Sequence, residues 1–205
     1  MIDVIKTYNV SHETYKKLKS YEALVLEWNS KFNLISKSTE TAIWERHIVD
    51  SIQLIKHITA KDKILLDLGS GAGFPGIVLA IASQELYPEL RINLVESIGK
   101  KVTFLQTVNE ELQLKMNIHQ TRIENLDIKK VDIITSRALA SLPKLLEYAK
   151  PFCKKETKLI LPKGESWSLE NMEAQKSWLY KYEVYNSDTS DVGKILRISD
   201  LRRKL

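Results

Sequence analysis

Over the first sixty residues, apolar side chains recur every three or four positions, a spacing that predicts amphipathic helices. The first predicted helix covers residues 11–35, and the second covers residues 39–58, with Ser38 or Thr39 as its cap. The apolar stripe of the first helix consists of Leu18, Tyr21, Leu24, Val25, Trp28 and Phe32. We therefore predict a helical N-terminal extension over residues 1–60.

From residue 61 onward the pattern changes to short apolar runs that alternate with helical segments. The predicted strands are residues 63–67, 91–96, 117–120, 131–135 and 158–161. The predicted helices are residues 76–86, 100–114, 142–149 and 169–177, and a closing antiparallel hairpin is predicted at 180–185 and 194–198. This alternation predicts an α/β domain over residues 61–205, with a mostly parallel sheet covered by helices on both faces. Ligands of such sheets bind beyond the carboxyl ends of the central strands.

The composition is that of an ordinary soluble domain. Of the 205 residues, 43% are hydrophobic and 28% are charged, and the formal net charge of +5 favours polyanionic partners slightly. Cys153 is the only cysteine, which fits a cytoplasmic location, and the chain begins without a secretory signal pattern. The longest apolar run, residues 76–82, is far shorter than the ~20 residues of a membrane span. The four histidines have no metal-ligand spacing, so we expect no metal.

The stretch Gly69-Ser-Gly-Ala-Gly-Phe-Pro-Gly76 follows the first predicted strand and holds four of the seven glycines. It satisfies the G-x-G-x-x-G pattern of dinucleotide sites, but Pro75 stands where the helix begins and offers no N–H to a pyrophosphate. S-adenosylmethionine has no phosphate, so this loop suits it better. A dinucleotide and a tight turn that binds nothing remain alternatives.

Three further positions fit S-adenosylmethionine in such a fold. Asp67 would orient the loop or the cofactor's ammonium group, and Glu96, at the end of the second strand, would accept both ribose hydroxyls. The backbone of Ile123 and the carboxylate of Glu124 follow the third strand, where the adenine would lie. A dinucleotide enzyme also carries an acid about 20 residues beyond its glycines, so Glu96 alone does not discriminate.

The residues after the fourth strand read Thr135-Ser-Arg-Ala-Leu-Ala140 and lack the Asn/Asp-Pro-Pro-aromatic stretch used on exocyclic amines. Methylation of a pyrimidine carbon needs an activated thiolate, whereas Cys153 has no base beside it and is interpreted as a packing residue. Guanine N7 has a free lone pair and no proton to lose, so it needs no general base and we predict no catalytic residue. Arg137 would hold the methionyl carboxylate or bond guanine O6. A hydrolase triad of His47, Asp50 and Ser51 is not favoured, because all three lie in one predicted helix.

Several motifs together resemble one family. In chain order they are Trp28-Asn-Ser-Lys-Phe-Asn33-Leu, Arg46-His47-Ile-Val-Asp50-Ser51, Asp67 to Gly76, Lys100-Lys101 with Phe104-Leu105, Ser136-Arg137-Ala138 and Pro162-Lys163-Gly164. This combination resembles the bacterial small-subunit ribosomal RNA guanine-N7 methyltransferases, also called glucose-inhibited division protein B. The resemblance covers about residues 24–164, and the chain beyond Gly164 carries little of the family signature.

The resemblance implies a class I fold that depends on S-adenosylmethionine: a Rossmann-like, mostly parallel seven-stranded sheet with a helical N-terminal extension. It implies in-line methyl transfer to N7 of a guanine in 16S ribosomal RNA, free or within the small ribosomal subunit. The implied cofactor-binding residues are Gly69, Phe74, Ile123, Glu124 and Arg137, with Gly71 and Gly73 shaping the loop and Glu96 at the ribose. We expect a cytoplasmic monomer with a basic face that draws on Lys100, Lys101 and Lys163, and on Arg46 as a further candidate. A small-molecule methyltransferase and a nicotinamide-dependent oxidoreductase are the alternatives.

Overall fold

The structure, a computed structural model, describes residues 3–204. Its centre is one seven-stranded sheet in the order β3-β2-β1-β4-β5-β7-β6. The strands are β1 Ile64–Leu68, β2 Arg91–Glu96, β3 Asn117–Gln120, β4 Val131–Thr135, β5 Cys153–Lys163, β6 Trp178–Asn186 and β7 Lys194–Arg203. The first five run parallel, and β7 pairs antiparallel with both β5 and β6. The mostly parallel sheet and the closing hairpin are therefore as predicted.

Helices cover both faces of the sheet. In chain order they are α1 Val4–Tyr8, α2 His12–Phe32, α3 Lys37–Glu40, α4 Asp50–Ile52, α5 Gly76–Leu86, α6 Gly99–Glu111, α7 Leu142–Ala149 and α8 Trp167–Ser177. Residues of β1 alternate between the two faces, so Leu65 packs with α5 while Leu66 and Leu68 pack with α7. Among residues 3–204 there is no helix with the length and apolar character that a bilayer crossing requires.

The long helix α2 begins and ends with recognisable caps. The side chain of Ser11 accepts a hydrogen bond from the N–H of Thr14 at 3.2 Å, and Asn33 closes the helix in the left-handed conformation, with φ 49°. Leu18, Tyr21 and Val25 on its buried face belong to the same hydrophobic core as α5. The N-terminal helices thus share a core with the sheet domain. The boundary predicted between residues 60 and 61 remains a prediction, and its outer limits, residues 1 and 205, lie outside the described residues.

The helix predicted over residues 39–58 is not continuous. After α3 the chain forms a π-helical turn at Trp44–Val49, then α4, and then a 3₁₀ turn at Gln53–His57. Apolar spacing reports only the average period of a segment, and here a wide π-helical turn is followed by a tight 3₁₀ turn, so the average stays close to that of an α-helix. The pattern therefore located the buried side but could not indicate the π-helical turn.

The reversal of strand order between β1 and β4 defines where ligands can bind. β1 pairs with β2 on one side and with β4 on the other, so the connections from β1 and from β4 leave in opposite directions. Crevices at such a switch point, beyond the carboxyl ends of the strands, are the usual ligand sites of parallel sheets. The loops that follow β1, β2, β4 and β5 all begin at this carboxyl edge of the sheet.

Candidate functional site

The loop between β1 and α5 requires glycine at three positions. Gly69, Gly71 and Gly73 have φ values of +67°, +59° and +95°, which disfavour residues with a side chain. A Cβ on Gly69 would lie 2.5 Å from the Leu139 side chain, whereas a Cβ on Gly71 would approach only the carbonyl of Gly69, at 3.9 Å. The loop therefore packs closely against Leu139 at Gly69, whereas the space beside Gly71 is open.

The loop is fixed by a buried carboxylate. Asp67 is fully buried and accepts hydrogen bonds from the Thr135 hydroxyl at 3.0 Å and from the N–H of Gly76 at 3.3 Å. Its burial raises the pKa to about 6, although the hydrogen bonds from Ser70, Thr135 and Gly76 act in the opposite direction. Of the two roles predicted for Asp67, these contacts support orientation of the loop.

A tyrosine of the N-terminal helix holds the same loop from the other side. The hydroxyl of Tyr21 donates a hydrogen bond of 2.6 Å to the carbonyl of Ala72, and the side chain is fully buried. The sequence placed Tyr21 only in the apolar stripe of α2. The missed signal is that a buried tyrosine hydroxyl usually has a hydrogen-bond partner, here the glycine loop.

Glu96 is anchored at the end of β2. Its carboxylate accepts hydrogen bonds from the N–H of Gly71 at 3.0 Å and from the N–H of Ile98 at 2.8 Å, and only 7% of the residue is exposed. Each carboxylate oxygen can accept more than one hydrogen bond, so both oxygens keep capacity for ligand hydroxyls. The position is thus pre-organised for a ribose.

A cavity of about 300 Å³, which we call the glycine-loop cavity, lies between these groups. Five of the eight predicted cofactor-binding residues line it, namely Gly69, Gly71, Glu96, Ile123 and Glu124. Its other walls are Val95, Ser97, Ile98, Lys101, Thr121, Arg122, Ala138, Leu139 and Tyr148. Gly73, Phe74 and Arg137 lie outside its lining.

The hydrogen bonds of the loop indicate which cofactor fits this cavity. The amide of Gly71 donates to Glu96, that of Gly73 to the Ser70 carbonyl, and that of Gly76 to Asp67. These three amides are therefore not free for a pyrophosphate. A dinucleotide would need such amides at the start of α5. S-adenosylmethionine has no phosphate and presents ribose hydroxyls that suit Glu96. The residues present therefore fit S-adenosylmethionine.

Arg137, just beyond β4, joins two sequence motifs that lie far apart in the chain. Its guanidinium donates to the carbonyl of Arg46 at 2.9 Å, contacts Asp50 Oδ2 at 3.4 Å, and hydrogen-bonds Nδ1 of His47. It also lies over the ring of Phe74, 5.2 Å from its centroid. The π-helical turn and α4 thus place the Arg-His-x-x-Asp-Ser motif directly against the glycine loop.

His47 is neutral in this cluster. Burial, and to a smaller extent the nearby charges of Arg137 and Arg46, together lower its pKa to about 4. Its Nδ1 accepts from Arg137, which leaves the proton on Nε2, 3.0 Å from the hydroxyl of Thr39. Both ring nitrogens are therefore occupied, and His47 is held as a hydrogen-bonding support.

A second cavity, of about 440 Å³, lies next to the first, and we call it the basic cavity. Its lining consists of Arg46, Asp50, Arg137, Ala138, Ala140, Pro162, Lys163, Gly164, Glu170, Ser187, Thr189, Ser190, Gly193 and Lys194. Ala138 lines both cavities and has the left-handed φ of +54°. Unusual backbone conformations of this kind concentrate at functional sites. The two cavities therefore meet at Ala138, between the ends of β4 and β5.

The basic cavity contains residues that sequence reasoning missed. Lys163, expected on a basic face, forms an ion pair with Glu170 at 2.8 Å, and Thr189 donates to Asp50 at 3.1 Å. Glu170 lies on α8 and Thr189 in the loop between β6 and β7, outside the motifs on which the sequence resemblance rests. Their place in the site is evident only from the fold, which brings Glu170 beside Lys163 and Thr189 beside Asp50.

Cys153 is remote from both cavities. Its thiol is buried and donates to the carbonyl of Ala149 at 3.3 Å, and burial raises its pKa to about 11. These properties are those of a packing residue. Within residues 3–204, no three histidine, cysteine or acidic side chains come together in a way that could hold a metal ion.

Comparison with known proteins identifies relatives along nearly the whole chain. The family described as rRNA small subunit methyltransferase G, GidB, matches residues 14–194. The ribosomal RNA small subunit methyltransferase G of Cereibacter sphaeroides is 43% identical over 198 residues, which are 97% of this chain and 96% of that protein. The protein of the same name from Orientia tsutsugamushi is 44% identical and covers 93% of each chain.

Solved structures resemble the fold. The O-methyltransferase of Bacillus cereus, in complex with SAH, superposes with a TM-score of 0.60 at 15% sequence identity, covering 96% of this chain and 94% of that one. A SAM-dependent methyltransferase of Aquifex aeolicus gives a TM-score of 0.59 at 16% identity, covering 77% of this chain and 93% of that one. The predicted class I, Rossmann-like architecture is therefore confirmed.

Proposed function

The chain belongs to the rRNA small subunit methyltransferase G family and is an S-adenosylmethionine-dependent methyltransferase, and we propose that it methylates N7 of a guanine in 16S ribosomal RNA. Relatives named for this class of substrate match 93% or more of the chain. The observation that carries the proposal in the structure is the meeting of two cavities at Ala138. One cavity suits the cofactor, and the other is basic and open to an RNA nucleotide.

The eight predicted residues divide into three groups in this proposal. Those that line the glycine-loop cavity bind the cofactor: Gly69, Gly71, Glu96, Ile123 and Glu124. Gly73 and Phe74 shape the loop, and Arg137 acts from the basic cavity, where its guanidinium can donate to guanine O6. The last assignment follows from the contacts of Arg137 with Asp50 and with the Arg46 carbonyl, which direct it toward that cavity.

The chemistry requires little of the protein beyond alignment. S-adenosylmethionine, when bound, supplies a methyl group on a positively charged sulfur. Guanine N7 carries its lone pair in the plane of the ring and loses no proton, so no general base is needed. Among the lining residues, Asp50 and Glu170 are ion-paired, and the nearby His47 has both nitrogens occupied. The chain's contribution is thus to hold the nucleotide in line and to exclude water.

We further propose that the protein acts in the cytoplasm as a monomer, on 16S RNA or the assembling small subunit. The rival substrate class is a small metabolite, for which the positive charge of the basic cavity would be incidental. Arg46, Lys163 and Lys194 in one cavity favour a polyanion.

Two measurements test the proposal. Nucleoside mass spectrometry of 16S RNA from cells that lack the protein should show the loss of one 7-methylguanosine. Purified protein should then transfer labelled methyl groups from S-adenosylmethionine to small subunits from those cells. Transfer to a metabolite pool with unchanged 16S RNA would refute the proposal. Tight binding of NAD without binding of S-adenosylhomocysteine would instead support the oxidoreductase alternative.

A further inference from the structure

We propose that the ion pair of Lys163 and Glu170 reads the acceptor base in the basic cavity, with Lys163 donating to guanine O6 and Glu170 accepting from guanine N1–H. This inference rests on the proposed function, because it assigns the acceptor base to this cavity. It names two specificity-determining residues, one at the end of β5 and one on α8.

The pair is firmly positioned. Lys163 is the last residue of β5, and its side chain is only 10% exposed, while that of Glu170 is 26% exposed. Glu170 Oε2 accepts from Lys163 at 2.8 Å and from the N–H of Leu142 at 2.9 Å. Burial acts to raise the pKa of Glu170, but Lys163 and the N–H of Leu142 outweigh it and lower that pKa, so the side chain is a carboxylate at neutral pH.

Each partner keeps capacity for a ligand. An ammonium group has three N–H donors, of which one is directed at Glu170 Oε2. Glu170 Oε1 has only a long contact of 3.4 Å with the Ser166 hydroxyl. The pair therefore presents a donor beside an acceptor at the wall of the cavity, and both groups line it.

A lysine donor beside a carboxylate acceptor is complementary to the Watson–Crick edge of guanine and not to that of adenine. Guanine presents the O6 acceptor beside the N1–H donor, whereas adenine presents the N6 amino donor beside the N1 acceptor. With adenine in the same pose, the lysine would face a donor and the carboxylate a lone pair, so both contacts would be repulsive. Binding through O6 and N1 also leaves guanine N7 free on another edge of the base, as methyl transfer requires.

The surrounding charge fits the rest of a nucleotide. Lys194 lies opposite Lys163 in the β5–β7 register, and both line the cavity together with Arg46. Like charges directly opposite each other on paired strands are destabilising, and Glu170 offsets the charge of Lys163 only. Within residues 3–204, neither Arg46 nor Lys194 has a carboxylate at ion-pair distance. They are available for the phosphates that flank the base.

The first test is Glu170→Gln, with Glu173→Gln as the matched control. Glu173 is on the same helix, is exposed, and pairs only with Lys176. Glutamine at 170 can still accept from the N–H of Leu142, but its amide NH₂ would face guanine N1–H. We expect kcat/KM for methyl transfer to unmethylated small subunits to fall about tenfold or more, with unchanged calorimetric affinity for S-adenosylhomocysteine. Glu173→Gln should match the wild type.

The second test measures base preference directly. The protein, saturated with S-adenosylhomocysteine so that its adenine site is filled, is titrated with guanosine 5′-monophosphate and with adenosine 5′-monophosphate and followed by NMR. Guanosine monophosphate should shift the amide signals of Lys163 and Gly164 more strongly, and Glu170→Gln and Lys163→Met should remove that preference.

Full activity of Glu170→Gln, or equal shifts from the two nucleotides in the wild type, would overturn the base-reading role. These results leave the proposed function intact as long as wild-type protein methylates small subunits in the same assay. A wild-type protein without that activity would instead refute the proposed function.

Discussion

The two cavities meet at one alanine but are built on different principles. The glycine-loop cavity is formed by neighbouring strand ends, and Glu96 and the loop amides bond within a span of 25 residues. The basic cavity is assembled from segments that are remote in the chain: Arg137 reaches Arg46 across 91 residues, and Thr189 reaches Asp50 across 139. Backbone geometry therefore shapes the first cavity, and side chains brought together by tertiary packing shape the second.

This difference predicts that the two cavities can be damaged separately. Loss of a backbone-bonded carboxylate should weaken cofactor binding, whereas loss of a side chain that ties the N-terminal segment to β4 should weaken catalysis. Each variant below is expected to affect one cavity and spare the other. A variant that impaired both equally would mean that the cavities form one cooperative unit.

The largest effect is expected for Arg137→Ala. The change removes the group that joins Asp50, His47 and the Arg46 carbonyl, and it removes one of the two donors proposed for guanine O6, the other being Lys163. We expect methyl transfer to fall about 100-fold, as when a positioned catalytic donor is deleted. Calorimetry should show nearly unchanged affinity for S-adenosylhomocysteine.

The matched control is Arg91→Ala, at the exposed amino end of β2 and thus at the opposite edge of the sheet. It should retain full activity. If Arg137→Ala instead lost cofactor affinity, the arginine would contact the methionyl carboxylate, the other role that the sequence suggested. Wild-type turnover in Arg137→Ala would remove the residue from the site altogether.

A smaller effect is expected for Glu96→Gln in the glycine-loop cavity. A glutamine can accept from only one of the two amides, Gly71 or Ile98, and it directs its own NH₂ at the other. An unsatisfied buried amide costs about 1–3 kcal/mol, so we expect affinity for S-adenosylhomocysteine to fall about tenfold or more. Glu111→Gln, exposed at the end of α6, is the control and should bind normally. Equal affinities would exclude Glu96 from the ribose contact.

The third effect is a pH dependence of His47, which contacts Arg137 at the wall of the basic cavity. His47 has a folded-state pKa of about 4, below its ordinary value of 6.5, chiefly because of burial and then because of Arg137. The unfolded chain therefore binds the proton more readily. The neutral histidine contributes full stability above pH 6.5, and this contribution is lost as the pH falls toward 4.

NMR titration of the imidazole signals checks this expectation. His47 should remain neutral down to about pH 4 in the wild type, and Arg137→Ala should raise its pKa. An ordinary titration near 6.5 in the wild type would contradict the described cluster. His57, whose pKa burial also lowers to about 4, lies away from Arg137 and should be unchanged in that variant.

The sequence predicted the glycine-loop cavity better than the basic cavity, for a physical reason. The glycines, Asp67 and Glu96 act through local geometry at strand ends, so their spacing along the chain already indicates their role. Glu170 and Thr189 act only through partners that the fold supplies, and nothing in their neighbours along the chain marks them. Arg137 was identified by its place after β4, but its partners became evident only when the π-helical turn at Trp44–Val49 brought Arg46 and His47 beside it.

The smallest effect is expected for Tyr21→Phe, the contact through which the N-terminal helix supports the glycine loop. The variant keeps the ring against Phe74 and loses only the hydrogen bond to the carbonyl of Ala72. One such bond contributes about 1 kcal/mol, which bounds the loss of S-adenosylhomocysteine affinity at about fivefold. The affinity is measured by calorimetry and the stability by urea unfolding. Tyr182→Phe, which changes an exposed side chain of β6, is the control in both measurements. Asp67 and Glu96 hold the loop independently of α2, so we expect the loss of affinity to stay small. A loss of S-adenosylhomocysteine affinity much larger than fivefold would show that backbone geometry alone does not maintain the cofactor cavity. The N-terminal helices would then be part of that cavity.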